Sequence, residues 1–343
     1  MFRLRTTTAA VLTFAFLSLL TIGTGSAAQQ APSAKSQEKS QAPQEEDFSD
    51  LRVNLKVFAE IDPVVIDSDE TPEYTLEFLD VQWRSGDPIH LSVIKPAGVK
   101  NPPVILYLNS YPSETSTFLN PNFCKFATKN GFAAVGFVAA FTGHRYHDMP
   151  MREWFVSNLD EALGLSVHDV QMVLNYLSTR GDLDMKRVGM FGDGSGAAIA
   201  IMATAVDPRI KVLDLLNPWG DWPAWMAKST LVPEEERPDY MKPDFLKRAA
   251  PFDPVKWLPQ LEGKSVRLQE VSDVTVTPQE AAKRIEAAAP ATVEVVHYEN
   301  RKTFLNDVAQ KGTALDWMKE KLRGENLTAS DRARTDKASK RNQ

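Results

Sequence analysis

The sequence predicts an α/β fold: a doubly wound, mostly parallel sheet of about eight strands with a cap inserted after the sixth. Three observations carry that reading. Val104-Ile-Leu-Tyr-Leu and Ala133-Ala-Val-Gly-Phe-Val-Ala-Ala are unbroken apolar runs, as strands buried on both faces of a parallel sheet require. From residue 159 onward, helical and strand patterns alternate, which is the signature of repeated βαβ units. Finally, Arg187-Val-Gly-Met-Phe-Gly-Asp-Gly-Ser-Gly reads as a buried strand entering a glycine-crowded turn and then an apolar helix.

The elements follow in order. Thr75 to Trp83 and His90 to Lys95 alternate apolar and polar residues on either side of Gly86-Asp87-Pro88, a hairpin signal. After the two buried runs come a helix over 159–178, a strand over 188–191 and a helix over 196–206. Strands are expected at 210–216, 266–269 and 293–297, and helices at 279–288 and 314–322. Residues 217–259 break the alternation. They carry no strand pattern and hold Trp219, Trp222, Trp225 and Trp257 among many prolines and charges, as a cap or lid does. These tryptophans are either the core of that cap or an aromatic wall over a ligand pocket.

The ends have a different character. Arg3 and Arg5, the apolar run Ala9 to Gly23 and the small residues Gly25-Ser26-Ala27-Ala28 form a secretory-signal pattern over 1–28. The apolar run is shorter than the ~20 residues that span a bilayer, so cleavage and export to periplasm or medium are expected, with no stable membrane anchor. Residues 29–48 and 324–343 are polar and aperiodic, a disordered linker and tail around a domain at 49–323. The formal charge of −6 gives no basic footprint for nucleic acid. The single cysteine, Cys124, excludes an internal disulfide and lies where an amphipathic helix begins, as a buried structural thiol.

Four segments in sequence order resemble the α/β-hydrolase superfamily, in particular its dienelactone-hydrolase and prolyl-oligopeptidase-like branch. They are Pro103-Val-Ile-Leu-Tyr-Leu-Asn-Ser-Tyr, the glycine-rich turn at 187–196, Val271-Ser-Asp-Val-Thr-Val-Thr-Pro and Tyr298-Glu-Asn-Arg-Lys-Thr-Phe. The resemblance covers roughly residues 75–322. It implies a serine nucleophile in a Gly-x-Ser-x-Gly turn, a histidine base, an orienting acid and two backbone N–H groups for an oxyanion. In that frame, Gly192-Asp193-Gly194-Ser195-Gly196 puts Gly194 in the serine position. Ser195, one residue on, is the alternative nucleophile or a capping residue of the helix.

The remaining parts are unequal. Asp273 matches the acid-bearing turn, with Asp221 a second carboxylate, and Glu270 stands where the family has glycine. The base position falls on Lys302 or Thr303, neither an imidazole, and His297 belongs to the preceding strand. Asn109-Ser110 replaces the usual His-Gly, yet backbone N–H groups at Ser110 or Tyr111, with Ser195, still suit an anion.

Other signals have simpler readings. Gly192-x-Gly194-x-x-Ala197 with Asp214 fits a dinucleotide fingerprint, but Asp214 lies mid-strand rather than at a strand end. His144 and His147, with Asp148, are pocket candidates at the cleft mouth without a third metal ligand at fixed spacing, and His168-Asp169 reads as structural. No metal or cofactor is expected. The expected function is an exported hydrolase-like protein, catalytically impaired, that binds a small molecule or peptide. The alternative is an active ester, acyl or peptide hydrolase using Ser195 with an unconventional base such as His144 or His147.

Overall fold

The structure, a computed structural model, describes residues 45–58, 62–84, 86–140, 145, 151–310 and 313–324. The signal segment, most of the linker, and the tail beyond Gly324 lie outside the described residues.

The chain opens with three antiparallel strands, β1 (Val64–Glu70), β2 (Tyr74–Val81) and β3 (Ile89–Pro96). Then come β4 (Pro103–Leu108), α1 (Ser116–Leu119), α2 (Pro121–Thr128), β5 (Ala133–Gly136) and the long α3 (Met151–Thr179). Next are β6 (Asp184–Asp193), α4 (Ser195–Val206) and β7 (Ile210–Leu216). Four short helices follow: α5 (Trp222–Lys228), α6 (Arg237–Tyr240), α7 (Pro243–Ala249) and α8 (Pro254–Trp257). The chain closes with β8 (Ser265–Val271), α9 (Gln279–Ala288), β9 (Glu294–Tyr298), α10 (Arg301–Leu305) and α11 (Thr313–Gly324).

All nine strands form one sheet in the order β1-β2-β3-β5-β4-β6-β7-β8-β9. Pairing is antiparallel as far as β3–β5 and parallel from there to β9. The expected count of about eight strands is therefore one short, and β1 is the strand missed. Val-Val-Ile-Asp-Ser-Asp-Glu has no alternation to read, because all seven residues are exposed and the strand is held by backbone pairing to β2. β4, by contrast, is buried at every position, as its unbroken apolar run predicts.

Helices cover both faces. On one, α3 and α4 pack with the residues of α5–α9 in the main core; on the other, α2 and α11 enclose Phe118, Cys124, Trp317 and Met318. Helix α4 is apolar all round and buried from Ser195 through Thr204, which is what a helix walled in on every side requires. The Cys124 thiol is buried, as expected of a structural cysteine. Between β7 and β8 the cap segment is tied down rather than loose. The Asp253 carboxylate accepts N–H bonds from Asp221 (2.9 Å), Trp222 (3.1 Å) and Val255 (3.1 Å).

A buried charge cluster fastens α3 to the hairpin. Asp169 is fully buried and accepts from Arg145 (2.6 Å) and Arg84, while Arg84 also meets Glu46 at 2.6 Å. Glu46, within the stretch read as linker, thereby joins the folded domain. Its other oxygen lies 2.6 Å from His168 Nδ1, and His168 Nε2 lies 2.6 Å from the Asp50 carbonyl, so His168-Asp169 has the structural role expected of it. Burial alone would raise the Asp169 carboxyl, but the two guanidiniums outweigh it and hold it below the usual carboxylate range.

Removing Asp169 strands two buried cations, so Asp169→Ala is expected to cost about 3–5 kcal/mol in urea denaturation. Glu280→Ala, which removes the exposed pairs to Lys228 and Arg284, is expected to leave the urea midpoint nearly unchanged. A depressed carboxyl contributes above its unfolded value, so the Asp169 contribution persists at neutral pH and is lost only as pH falls below 3.8.

Candidate functional site

The site lies at the carboxyl ends of the parallel strands, where β6 turns into α4. Gly194 is the turning residue, with φ 52° and ψ −112°, a conformation that L side chains rarely adopt. Its N–H donates to the Leu216 carbonyl at 2.9 Å, and its own carbonyl accepts from Trp219 at 3.1 Å and Ala198 at 3.2 Å. At Gly196 a Cβ would sit 2.2 Å from the Leu108 carbonyl oxygen, so helix and strand approach with no space for a side chain. The glycine spacing is thus accounted for by this sharp bend. Asp214, the fingerprint's acidic residue, is buried and bound by Arg267 (2.7 Å) and Gln269 (2.8 Å), which removes the case for a dinucleotide.

Gly194 is also crowded. A Cβ there would lie 2.1 Å from Ser110 Oγ, 2.8 Å from Ser110 Cβ and 3.0 Å from Trp219 Nε1. The space that a side chain at the turn would use belongs to Ser110. Ser195, first in α4, is 1% exposed, and its Oγ accepts the Tyr111 N–H at 2.8 Å. The Ser195 N–H in turn donates to Ser110 Oγ at 3.4 Å. Ser110, Tyr111 and Ser195 do come together, as expected of an anion-binding nest, but the two N–H groups are taken by the protein's own hydroxyls.

The other expected site residues are placed as follows. Asp273 is exposed, and its Oδ1 accepts the Arg301 N–H at 2.9 Å, so it anchors the start of α10. Lys302 is exposed within α10, where Asn300 caps the helix through the Thr303 N–H at 3.0 Å. Asp221 forms an ion pair with Arg284 at 2.9 Å. His144 and His147 lie outside the described residues, and no described histidine lines the cleft at Gly194. His297 is half-exposed on β9 with Glu270 at 3.3 Å and Glu286 at 3.7 Å. These three form the one group of histidine and carboxylate donors close enough to share a cation among the described residues.

Of the three pocket tryptophans, only Trp219 lines the cleft. All three are buried in the main core, Trp222 donating its indole N–H to the Phe252 carbonyl at 3.1 Å. The cavity measures about 260 Å³, walled by Leu216, Val271, Val274 and Phe304 with Asp193 and Arg301 among its polar residues. Burial pushes the Asp193 carboxyl up to about 6, against the opposing pull of Arg301. A second cavity of about 610 Å³ adjoins it, sharing Asn217 and Val271 and reaching to Glu286 and His297. Neither Asp193 nor Arg301 is conspicuous in sequence. Asp193 is the variable residue of the turn, and Arg301 reaches the cleft because α10 begins there.

No family model matches the chain, and no curated protein matches it in sequence. Solved structures do. Acetyl xylan esterase 1 from Thermoanaerobacterium sp. JW/SL YS485 superposes with TM-score 0.60 at 15% identity, covering 76% of this chain and 88% of that one. An S-formylglutathione hydrolase from Agrobacterium tumefaciens gives 0.55 at 14%, covering 75% and 99%. The acylaminoacyl peptidase of Pyrococcus horikoshii gives 0.58 at 12%, covering 79% of this chain and 51% of that one.

Two outcomes follow from this geometry. Gly194→Ser forces a side chain into the space of Ser110 at positive φ, and a loss of about 1–3 kcal/mol in thermal or urea unfolding is expected. Adding Ser110→Gly should recover part of it, a coupling that the double-mutant cycle measures. The Asp193 carboxyl has a folded value above its unfolded one, so its ionisation opposes folding. Stability should fall as pH rises from 3.8 to about 6 and stay lower above that. Asp193→Asn should remove a loss on the order of 3 kcal/mol at pH 8 and change little below pH 3.8. The sheet order, the turn at Gly194 and these superpositions establish that the chain has the α/β-hydrolase fold.

Proposed function

We propose that this chain is an exported protein of serine-hydrolase ancestry that binds a small molecule or peptide in the cleft at Gly194 and does not carry out efficient hydrolysis. The observation that carries this reading is the filled turn: Gly194 has no hydroxyl, and Ser110 occupies the space one would need. Three further features support it. Ser195 Oγ is buried and engaged by the Tyr111 N–H, Asp273 binds backbone rather than an imidazole, and Lys302 is exposed. The cleft itself is intact and largely apolar, which suits retention for binding. Export rests on the N-terminal pattern of Arg3, Arg5 and the apolar run to Gly23.

Losing nucleophile and base together leaves what binding and oxyanion contacts supply, about 10³-fold over water. Protein lacking residues 1–28 should therefore give no covalent labelling with a fluorophosphonate probe and no burst with short-chain nitrophenyl esters. Ser195→Ala and Ser110→Ala serve as controls, since these are the two hydroxyls at the turn. Labelling of the unmodified protein that disappears in either variant would overturn the reading and identify the nucleophile.

A further inference from the structure

Trp219 poses a problem the fold does not solve internally. It is 1% exposed, and its indole Nε1 has no hydrogen-bond partner among the described residues. A buried donor left unmade costs stability, which an arriving acceptor recovers. The nitrogen is 3.0 Å from the point where a Cβ on Gly194 would stand, beside the Ser110 side chain, and all three residues line the cleft. A second donor waits in the same wall. The Arg301 guanidinium has no ion-pair partner among the described residues and meets Asp193 only through its field. Leu216, Val271, Val274 and Phe304 give the wall its hydrocarbon, beside the polar side chains of Ser110, Tyr111, Asp193, Asn217 and Thr277.

We infer that the cleft receives a small apolar monocarboxylate, its carboxylate accepting the Trp219 indole N–H and pairing with Arg301 while its hydrocarbon lies along Val271, Val274 and Phe304. The inference rests on the reading of this cleft as a binding site and specifies what it binds. A cationic ligand fits worse, because it would leave the indole N–H unmade and place like charge beside Arg301. A neutral carbonyl would satisfy Trp219 but leave Arg301 unpaired. Asp193 opposes an anion when ionised, and the other titratable side chains lining the cleft are Arg301 and Tyr111. Replacing the Asp193 carboxyl by an amide should therefore tighten carboxylate binding.

The test is calorimetric titration of protein lacking residues 1–28 with hexanoate, hexanamide and hexylamine. Hexanoate should bind about tenfold more tightly than hexanamide, since a charge-assisted pair is stronger than a neutral one, and hexylamine should bind weakest. Arg301→Gln, at an exposed position, should weaken hexanoate about tenfold and leave hexanamide unchanged, with unfolding temperature as the check on folding. Trp219→Phe should weaken both acids and amides, and Asp193→Asn should strengthen hexanoate. Equal affinity for hexanoate and hexanamide, indifference of hexanoate to Arg301→Gln, or no binding of any of the three would overturn the inference. Tight hexanamide or hexylamine binding lost in Trp219→Phe would overturn the ligand class and leave the binding reading standing. Covalent labelling by fluorophosphonate would remove the binding reading itself.

Discussion

The contact between the first turn of α4 and the end of β4 governs everything at the site. Gly196 packs against the Leu108 carbonyl with less room than a methyl group needs, and Gly192 is equally close to Ala197. That approach aims the N-terminus of α4 at the strand ends and forces the reversal through Gly194. Because Leu108 leads directly into Asn109, Ser110 and Tyr111, the same contact sets those residues against the turn. The hydrogen bonds from Tyr111 to Ser195 and from Ser195 to Ser110 are its consequence. So is the burial of Ser195, which begins the helix rather than crowning the bend.

Within that frame the chemistry turns on an exchange of volume. The resemblance to hydrolases implies a side chain at 194 and none at 110. Here the side chain is at 110 and none is at 194, and the two changes fit each other sterically. The hydroxyls at the turn, on Ser110 and Ser195, each accept a backbone N–H. Trp219, Arg301 and Asp193 line the cavity together with Leu216, Val271, Val274 and Phe304. Among the described residues no histidine borders this surface, which offers shape and charge for recognition.

Rigidity away from the cleft comes from two sources of different kind. The apolar faces of β4, β6 and α4 supply non-directional burial. The cluster of Asp169, Arg84, Arg145, Glu46 and His168 supplies directed contacts between segments distant in sequence. Asp253 ties down the cap segment at Asp221 and Trp222, two and three residues beyond Trp219 of the cleft wall.

The order of strands and helices was legible in the chain because burial on both faces writes unbroken apolar runs at β4 and β5, and the glycines at 192, 194 and 196 mark a bend too tight for side chains. β1 left no such trace, since exposure on both faces removes the pattern that reveals a strand. The lack of a hydroxyl at 194 could likewise be read from residue identity alone. Which groups face the cavity could not. Trp219, Trp222 and Trp225 look alike in sequence and are all buried, and only packing shows that Trp219 also borders the cleft. Asp193, Ser110 and Arg301 meet across separations of tens to hundreds of residues. Local pattern reports how much of a residue is buried, whereas its neighbours depend on how the whole sheet closes.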